Sequence, residues 1–373
     1  MAGVSQEMPA LSIFFFSHSD EGPEPDRYAF VLETAALAEE LGFQAVWVPE
    51  RHFHPFGGLF PNPAVVAAAL AVRTRRIALR AGSVVLPLHH VARVAEEWGV
   101  VDALSNGRVG VSLASGWNRS DFVLGQCDFD ERRDHLLATV DVLESLWQGR
   151  QAAFSVGERT ESIRTYPVPV QRPVPLWLTA TSGSATFAEA SRRGLGVLTA
   201  YLQQDREELE RNVREYRKRF TPRTPDGAPH VTLMVHACVA PTAREAFAAV
   251  QEPLTAYQGQ FLDLHARGSD PRDAQAPLTA EEKRELARYA AYKYASERGL
   301  VGDPGTVARR LGYLAAIGVD EVACLVDFGL APDQITSTLR RLAGLTGNTG
   351  ISRPPLSAPP RRAAQPRSST RTP

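Results

Sequence analysis

Short apolar runs rich in β-branched and aromatic residues alternate along this chain with longer amphipathic stretches, about eight times over. The runs are LSIFFFS (11–17), FQAVWV (43–48), IALRAGSVVLP (77–87), RVGVSLASG (108–116), VPLWLTAT (174–181), LGVLTAY (195–201), HVTLMVHACVA (230–240) and DEVACLVDFG (320–329). Near-continuous apolar strands separated by helices mean a parallel sheet with covered faces. Eight such units in 373 residues favour an α/β fold of the (β/α)8 TIM-barrel type. An open doubly wound sheet is the alternative. It binds ligands at a glycine-rich first turn, and SHSDEGPEPD (17–26) holds no G-x-G-x-x-G.

The first helix is expected over PDRYAFVLETAALAEELG (25–42), capped by Asp26 and closed by Gly42. Two stretches in the C-terminal half, 221–230 and 266–299, exceed what a barrel needs. Insertions of this kind often become lids. The barrel domain is expected over 10–346. The remainder, 347–373, has prolines, five arginines and no acid, so it is expected to be a disordered tail.

Composition narrows the class. The net charge is −1, which gives no reason to expect nucleic acid or a membrane as partner. Cys127, Cys238 and Cys324 are widely spaced and match neither a disulfide framework nor a zinc motif. The N-terminus lacks a basic region and a long apolar run, so no signal peptide is read and a cytoplasmic location is expected.

In a barrel, chemistry sits where strands end. Here those ends carry Glu50-Arg51-His52 with His54, then Gly82-Ser83 leading to His89-His90, then Ser115-Gly116-Trp117-Asn118, then Thr181-Ser182-Gly183. One histidine or tryptophan at a strand end is more often a packing or capping residue, and Thr-Ser-Gly is usually a turn. The set as a whole is more specific. It offers imidazoles for proton transfer, glycine and hydroxyl turns whose N–H groups can hold an anion, and an indole for a planar ring. No carboxylate pair, Cys-His pair or metal-ligand spacing is read, and no metal is expected. His89 and His90 are adjacent and point apart in extended chain.

Four segments carry a resemblance: VPERHFHPFGG, GSVVLPLHHVARVAEEWGVVDALSNGRVGVSLASGWNRSDF, PLWLTATSGSATFAEA and GDPGTVARRLGYLAAIGVDEVACLVDFG. Over roughly 10–345 the chain resembles the bacterial luciferase-like flavin monooxygenases, most of all the subgroup associated with polyketide and nonribosomal-peptide assembly lines. The resemblance implies a TIM barrel, reduced FMN as cofactor, O2 as cosubstrate and a separate flavin reductase. It implies an acyl or aminoacyl natural-product substrate, free or bound to a carrier protein, and hydroxylation, N-oxygenation or Baeyer–Villiger insertion as the reaction. A homodimer or homotetramer is expected. Gly82, Ser83, Ser115, Trp117 and Asn118 are placed by it near the flavin ring and ribityl chain, Thr181, Ser182 and Gly183 near the phosphate, and a non-proline cis peptide at Gly82-Ser83. Many members carry E-H-H-F where this chain has Glu50-Arg51-His52-Phe53. Either His52 or His54 therefore moves the proton, or Arg51 stabilises developing charge. A deazaflavin-dependent oxidoreductase and a non-catalytic flavin-binding barrel are the alternatives.

Overall fold

The computed structural model describes residues 8–16, 24–181, 183–268 and 279–346. The expected tail, 347–373, lies outside them. In chain order the elements are β1 (Ala10–Phe14), α1 (Glu24–Glu40), β2 (Ala45–Val48), α2 (Pro63–Arg73), β3 (Ala78–Val85), α3 (Val91–Ser105), β4 (Val109–Ala114) and α4 (Arg132–Trp147). There follow β5 (Ala152–Val156), β6 (Arg159–Ile163), β7 (Leu176–Ala180), α5 (Ser184–Arg193), β8 (Gly196–Ala200), α6 (Arg206–Arg219) and β9 (Val231–Val239). The last are α7 (Ala243–Gly268), α8 (Ala280–Glu297), β10 (Leu300–Gly302), α9 (Pro304–Ala316), β11 (Glu321–Leu325) and α10 (Pro332–Leu345).

Eight strands, in the order β11-β1-β2-β3-β4-β7-β8-β9, pair in parallel, and β9 pairs back to β11. The sheet is a closed TIM barrel, and each of the eight apolar runs supplies one strand. Local chemistry places the helices as a barrel requires. Asn62 starts α2, its Oδ1 accepting from the N–H groups of Ala64 (2.9 Å) and Val65 (3.2 Å), with Pro63 at the first helical position. Asn106 stops α3 in the left-handed region at φ 56°.

Three features differ from expectation. The first helix begins at Glu24, so Asp26 lies inside its first turn and does not cap it. The stretch 266–299 is in large part helical: α8 begins with a reciprocal cap between Thr279 and Glu282 and packs along α7. The antiparallel β5–β6 hairpin and the helix α10 were not anticipated.

The barrel floor is polar. Glu321, first in β11, accepts from Ser12 Oγ (2.5 Å) and Trp47 Nε1 (2.8 Å) on one oxygen. Its other oxygen accepts from Arg80 Nη1 and faces His230 Nε2 at 3.2 Å. The Arg80 guanidinium packs against the rings of Trp47 (5.1 Å) and Trp177 (4.8 Å), which also meet each other edge-on at 5.3 Å. Burial alone would raise the Glu321 pKa, but the charge of Arg80 and the bonds from His230 and Ser12 hold it far below the carboxylate range. Packing to this density leaves no room at the neighbouring glycines. A Cβ on Gly110 would stand 2.9 Å from the Trp177 ring, and one on Gly196 2.4 Å from it.

Candidate active site

The opposite rim collects the titratable groups. β2 ends at Val48, and two residues later the Glu50 side chain is fully buried. Its Oε2 accepts the Val85 N–H at 2.7 Å, which anchors it to the end of β3. Its Oε1 receives both His52 Nε2 (2.8 Å) and His89 Nε2 (2.5 Å). Burial would raise the Glu50 pKa, yet these imidazoles and the Val85 N–H hold it below the ordinary carboxylate value. Burial lowers the His89 pKa, and the bond and charge of Glu50 more than reverse this, so it is raised overall. An ionised carboxylate only accepts, so both imidazoles must carry hydrogen on Nε2. Each Nδ1 is then the atom that can gain or lose a proton, and neither has a partner among the described residues.

Glu50, His52 and His89 place ligand atoms within 4.8 Å of one another, a composition that could hold a metal ion. Sequence spacing gave no sign of it. Each oxygen of Glu50 already accepts a protein hydrogen bond, so the cluster is complete as a hydrogen-bonded relay.

Arg51 makes no bond to this relay. Its guanidinium lies 4.4 Å from the Phe16 ring centroid, 5.2 Å from Trp117 and 6.0 Å from Phe56. Tyr257, from α7, packs on Phe16 (5.5 Å) and Phe56 (5.0 Å) and closes the cage. The loop is shaped for the arginine: a Cβ on Gly57 would stand 2.7 Å from Arg51 Cγ. Asp121 lies close enough to His52 and Arg51 to feel both charges, but burial dominates and raises its pKa. The expectation named His52, Arg51 and His54; the structure ties His52 to Glu50 and sets the Arg51 guanidinium against Phe16, Phe56 and Trp117. The His54 Nδ1 accepts from the Phe56 N–H at 3.1 Å, within its own loop.

The expected flavin residues fall into groups. The peptide Gly82-Ser83 is cis. Gly82 is needed for packing, since a Cβ would stand 2.6 Å from the Phe14 ring. The Ser83 hydroxyl bonds Thr179 Oγ1, which also bonds Ser112 Oγ at 2.7 Å, giving a line of hydroxyls across β3, β7 and β4. Ser115 and Trp117 are half-buried at the end of β4. Asn118 caps the turn at Arg119–Leu124, with Nδ2 donating to Asp121 at 2.7 Å, so its amide is already engaged. Thr181 and Gly183 are exposed before α5, and Ser182 lies outside the described residues. Gly183 has φ 84° and open space around its Cβ position, and α5 has no side-chain cap. Its N–H donates to Glu208 Oε1 at 3.2 Å.

Glu50, His89, Asp121, Tyr257 and Phe16 were not among the expected residues. The signal for Glu50 was present, a carboxylate placed where an apolar strand meets the rim. His89 was read at the end of the third strand but given no role, while Asp121, Tyr257 and Phe16 needed the fold. A groove of about 700 Å³ lies between α7 and α8, lined among others by Arg244, Phe247, Tyr289 and Tyr292, but it carries no imidazole and stands outside the barrel. No helix among the described residues is long and apolar enough to cross a membrane.

Comparison with known proteins gives the family and agrees with the barrel fold. Residues 9–321 match the model of a family described as luciferase-like monooxygenase. The chain is 25% identical over 329 residues to the oxygenase component of a flavin-dependent trigonelline monooxygenase from Acinetobacter baylyi, covering 87% of this chain and 90% of that protein. It is 30% identical over 174 residues to an alkanal monooxygenase alpha chain from Photobacterium leiognathi, a match that spans 46% of this chain and 48% of that one. The crystal structure of the monooxygenase RslO1 from Streptomyces bottropensis superposes with a TM-score of 0.71 at 23% identity, over 90% of this chain and 98% of that one.

Proposed function

Because the chain belongs to the luciferase-like monooxygenase family, we propose that it is the oxygenase of a two-component system. In this reading it takes reduced FMN from a separate flavin reductase. It transfers one oxygen atom of O2 to an acyl or aminoacyl natural-product intermediate, free or held by a carrier protein. The observation that carries the reading is the family match from β1 to the start of β11. Reduced flavin would supply the two electrons that let one atom of O2 enter the substrate while the other leaves as water.

The chain's own residues supply the rest. Thr181, Ser182 and Gly183 with the uncapped start of α5 would hold the phosphate. Trp117, Ser115 and the cis Gly82-Ser83 segment would flank the ring. The relay on Glu50 gives two imidazoles whose Nδ1 atoms can accept or deliver a proton, with the carboxylate stabilising the charged form. Phe16, Phe56 and Tyr257 exclude water beside it.

The test is incubation of the purified chain with FMN, NADH, a flavin reductase and candidate acids or thioesters, with and without oxygen. The reading expects a nearly colourless protein, tighter binding of reduced than oxidised FMN, and product only with oxygen. Oxygen-independent hydride transfer with a deazaflavin, or permanently bound FMN reduced directly by NADPH, would overturn it.

A further inference from the structure

We propose that Arg51 recognises a carboxylate, so that the substrate of this site is a free acid rather than a carrier-bound thioester. The inference rests on the oxygenase reading for what happens to that substrate, but not for the recognition itself.

Other enclosed arginines of this protein spend their donors on protein acceptors. Arg80 binds Glu321. Arg108 donates to the carbonyls of Ala71, Thr74 and Ile77. Arg310 donates to those of Ala295, Ser296, Gly299 and Val301. The Arg51 guanidinium makes no hydrogen bond and no ion pair with any described residue. Asp121 is near enough to influence its charge, yet Asp121 Oδ1 is engaged by Asn118 at 2.7 Å. Five N–H donors on a group that stays charged thus have no acceptor among the described residues.

Aromatic rings crowd that fork. Its carbon lies 4.4 Å from the Phe16 centroid and 5.2 Å from that of Trp117, Phe56 and Tyr257 pack behind Phe16, and only glycine fits beside its stem at position 57. Aromatic rings offer no lone pair to an N–H donor, so these neighbours leave the donors for recognition. A carboxylate matches that fork with two oxygens and a full negative charge. A thioester or amide carbonyl offers one oxygen and no charge, and would leave the remaining donors unmatched.

The experiment uses the full chain without flavin. Benzoate and hexanoate are titrated calorimetrically against benzamide and hexanamide, in wild type, Arg51→Gln and Arg51→Lys, with circular dichroism confirming that each variant is folded. The acids are expected to bind wild type about 10- to 100-fold more tightly than the amides. Arg51→Gln should abolish that preference and Arg51→Lys retain part of it. Equal binding of acid and amide by wild type, no binding of either at millimolar concentration, or a preference that survives Arg51→Gln would each overturn the proposal. A parallel titration compares FMN with riboflavin. If Arg51→Gln removes the preference for FMN, Arg51 serves the flavin phosphate and the carboxylate assignment falls. Acid recognition in a protein that oxygenates nothing would leave this inference standing and sink the oxygenase reading alone.

Discussion

Glu50 and Glu321 are both glutamates with fully buried side chains, each beside two basic groups, at opposite ends of one barrel. Glu321 sits on the floor with Arg80, a permanent cation, and its two oxygens receive four donors. Glu50 sits at the rim with His52 and His89, imidazoles that carry a charge only when protonated, and receives three donors. In the first arrangement the carboxylate always has a charged guanidinium as partner, whatever the state of the neighbouring His230 imidazole. The second is built to be shifted by one proton. The type of cation beside a buried carboxylate separates a structural tie from a group able to do chemistry.

The most severe way to break the comparison is at the floor. Arg80→Met should leave Glu321 charged without its main partner and cost about 3–5 kcal/mol of stability, read by urea unfolding. A variant as stable as wild type would show that the floor is not held by this pair. At the rim the opposite pattern is expected. Glu50→Gln should slow single-turnover oxygenation roughly 10²-fold, equivalent to about 2.7 kcal/mol, and change unfolding much less than Arg80→Met does. Large stability losses with unchanged turnover would make the two glutamates equivalent. Trp117→Ala should weaken flavin binding by about 0.5–1.5 kcal/mol beyond the lost burial, while an unchanged flavin titration would remove the indole from the ring site.

The smallest effect is a slope. The folded-state pKa of His89 is raised, so its contribution to stability is complete below the ordinary imidazole value of about 6.5 and is lost as pH rises through the raised value. Both glutamates have lowered pKa values, so their contributions are complete above about 4.3 and are lost only as pH falls. Wild type should therefore lose stability relative to His89→Gln between about pH 6.5 and the raised value, whereas the Arg80–Glu321 pair should show no change in that interval. Parallel stability curves for wild type and His89→Gln would contradict the assignment.

The barrel was legible in the sequence because alternation is a local signal, and each strand announces itself by its own composition. The rim was legible in part, since strand ends can be read once strands are known. His52 and Arg51 came from that reading. Partnerships were not legible: Glu50 meets His89 across 39 positions, and Glu321 meets Arg80 across 241. His89 looked unhelpful beside His90 because extended chain would point the two apart, but the chain there turns through Leu86–Leu88 and brings His89 under β2. Helix α10 went unread although Pro332 stands at its start, and the β5–β6 hairpin is too polar and exposed to stand out from loop.

The floor has a further consequence for how molecules move through this protein. With Trp47, Arg80, Trp177 and Glu321 interlocked across it, that end of the barrel is filled by its own side chains. A cofactor and a substrate bound as proposed would therefore both have to come and go on the rim side.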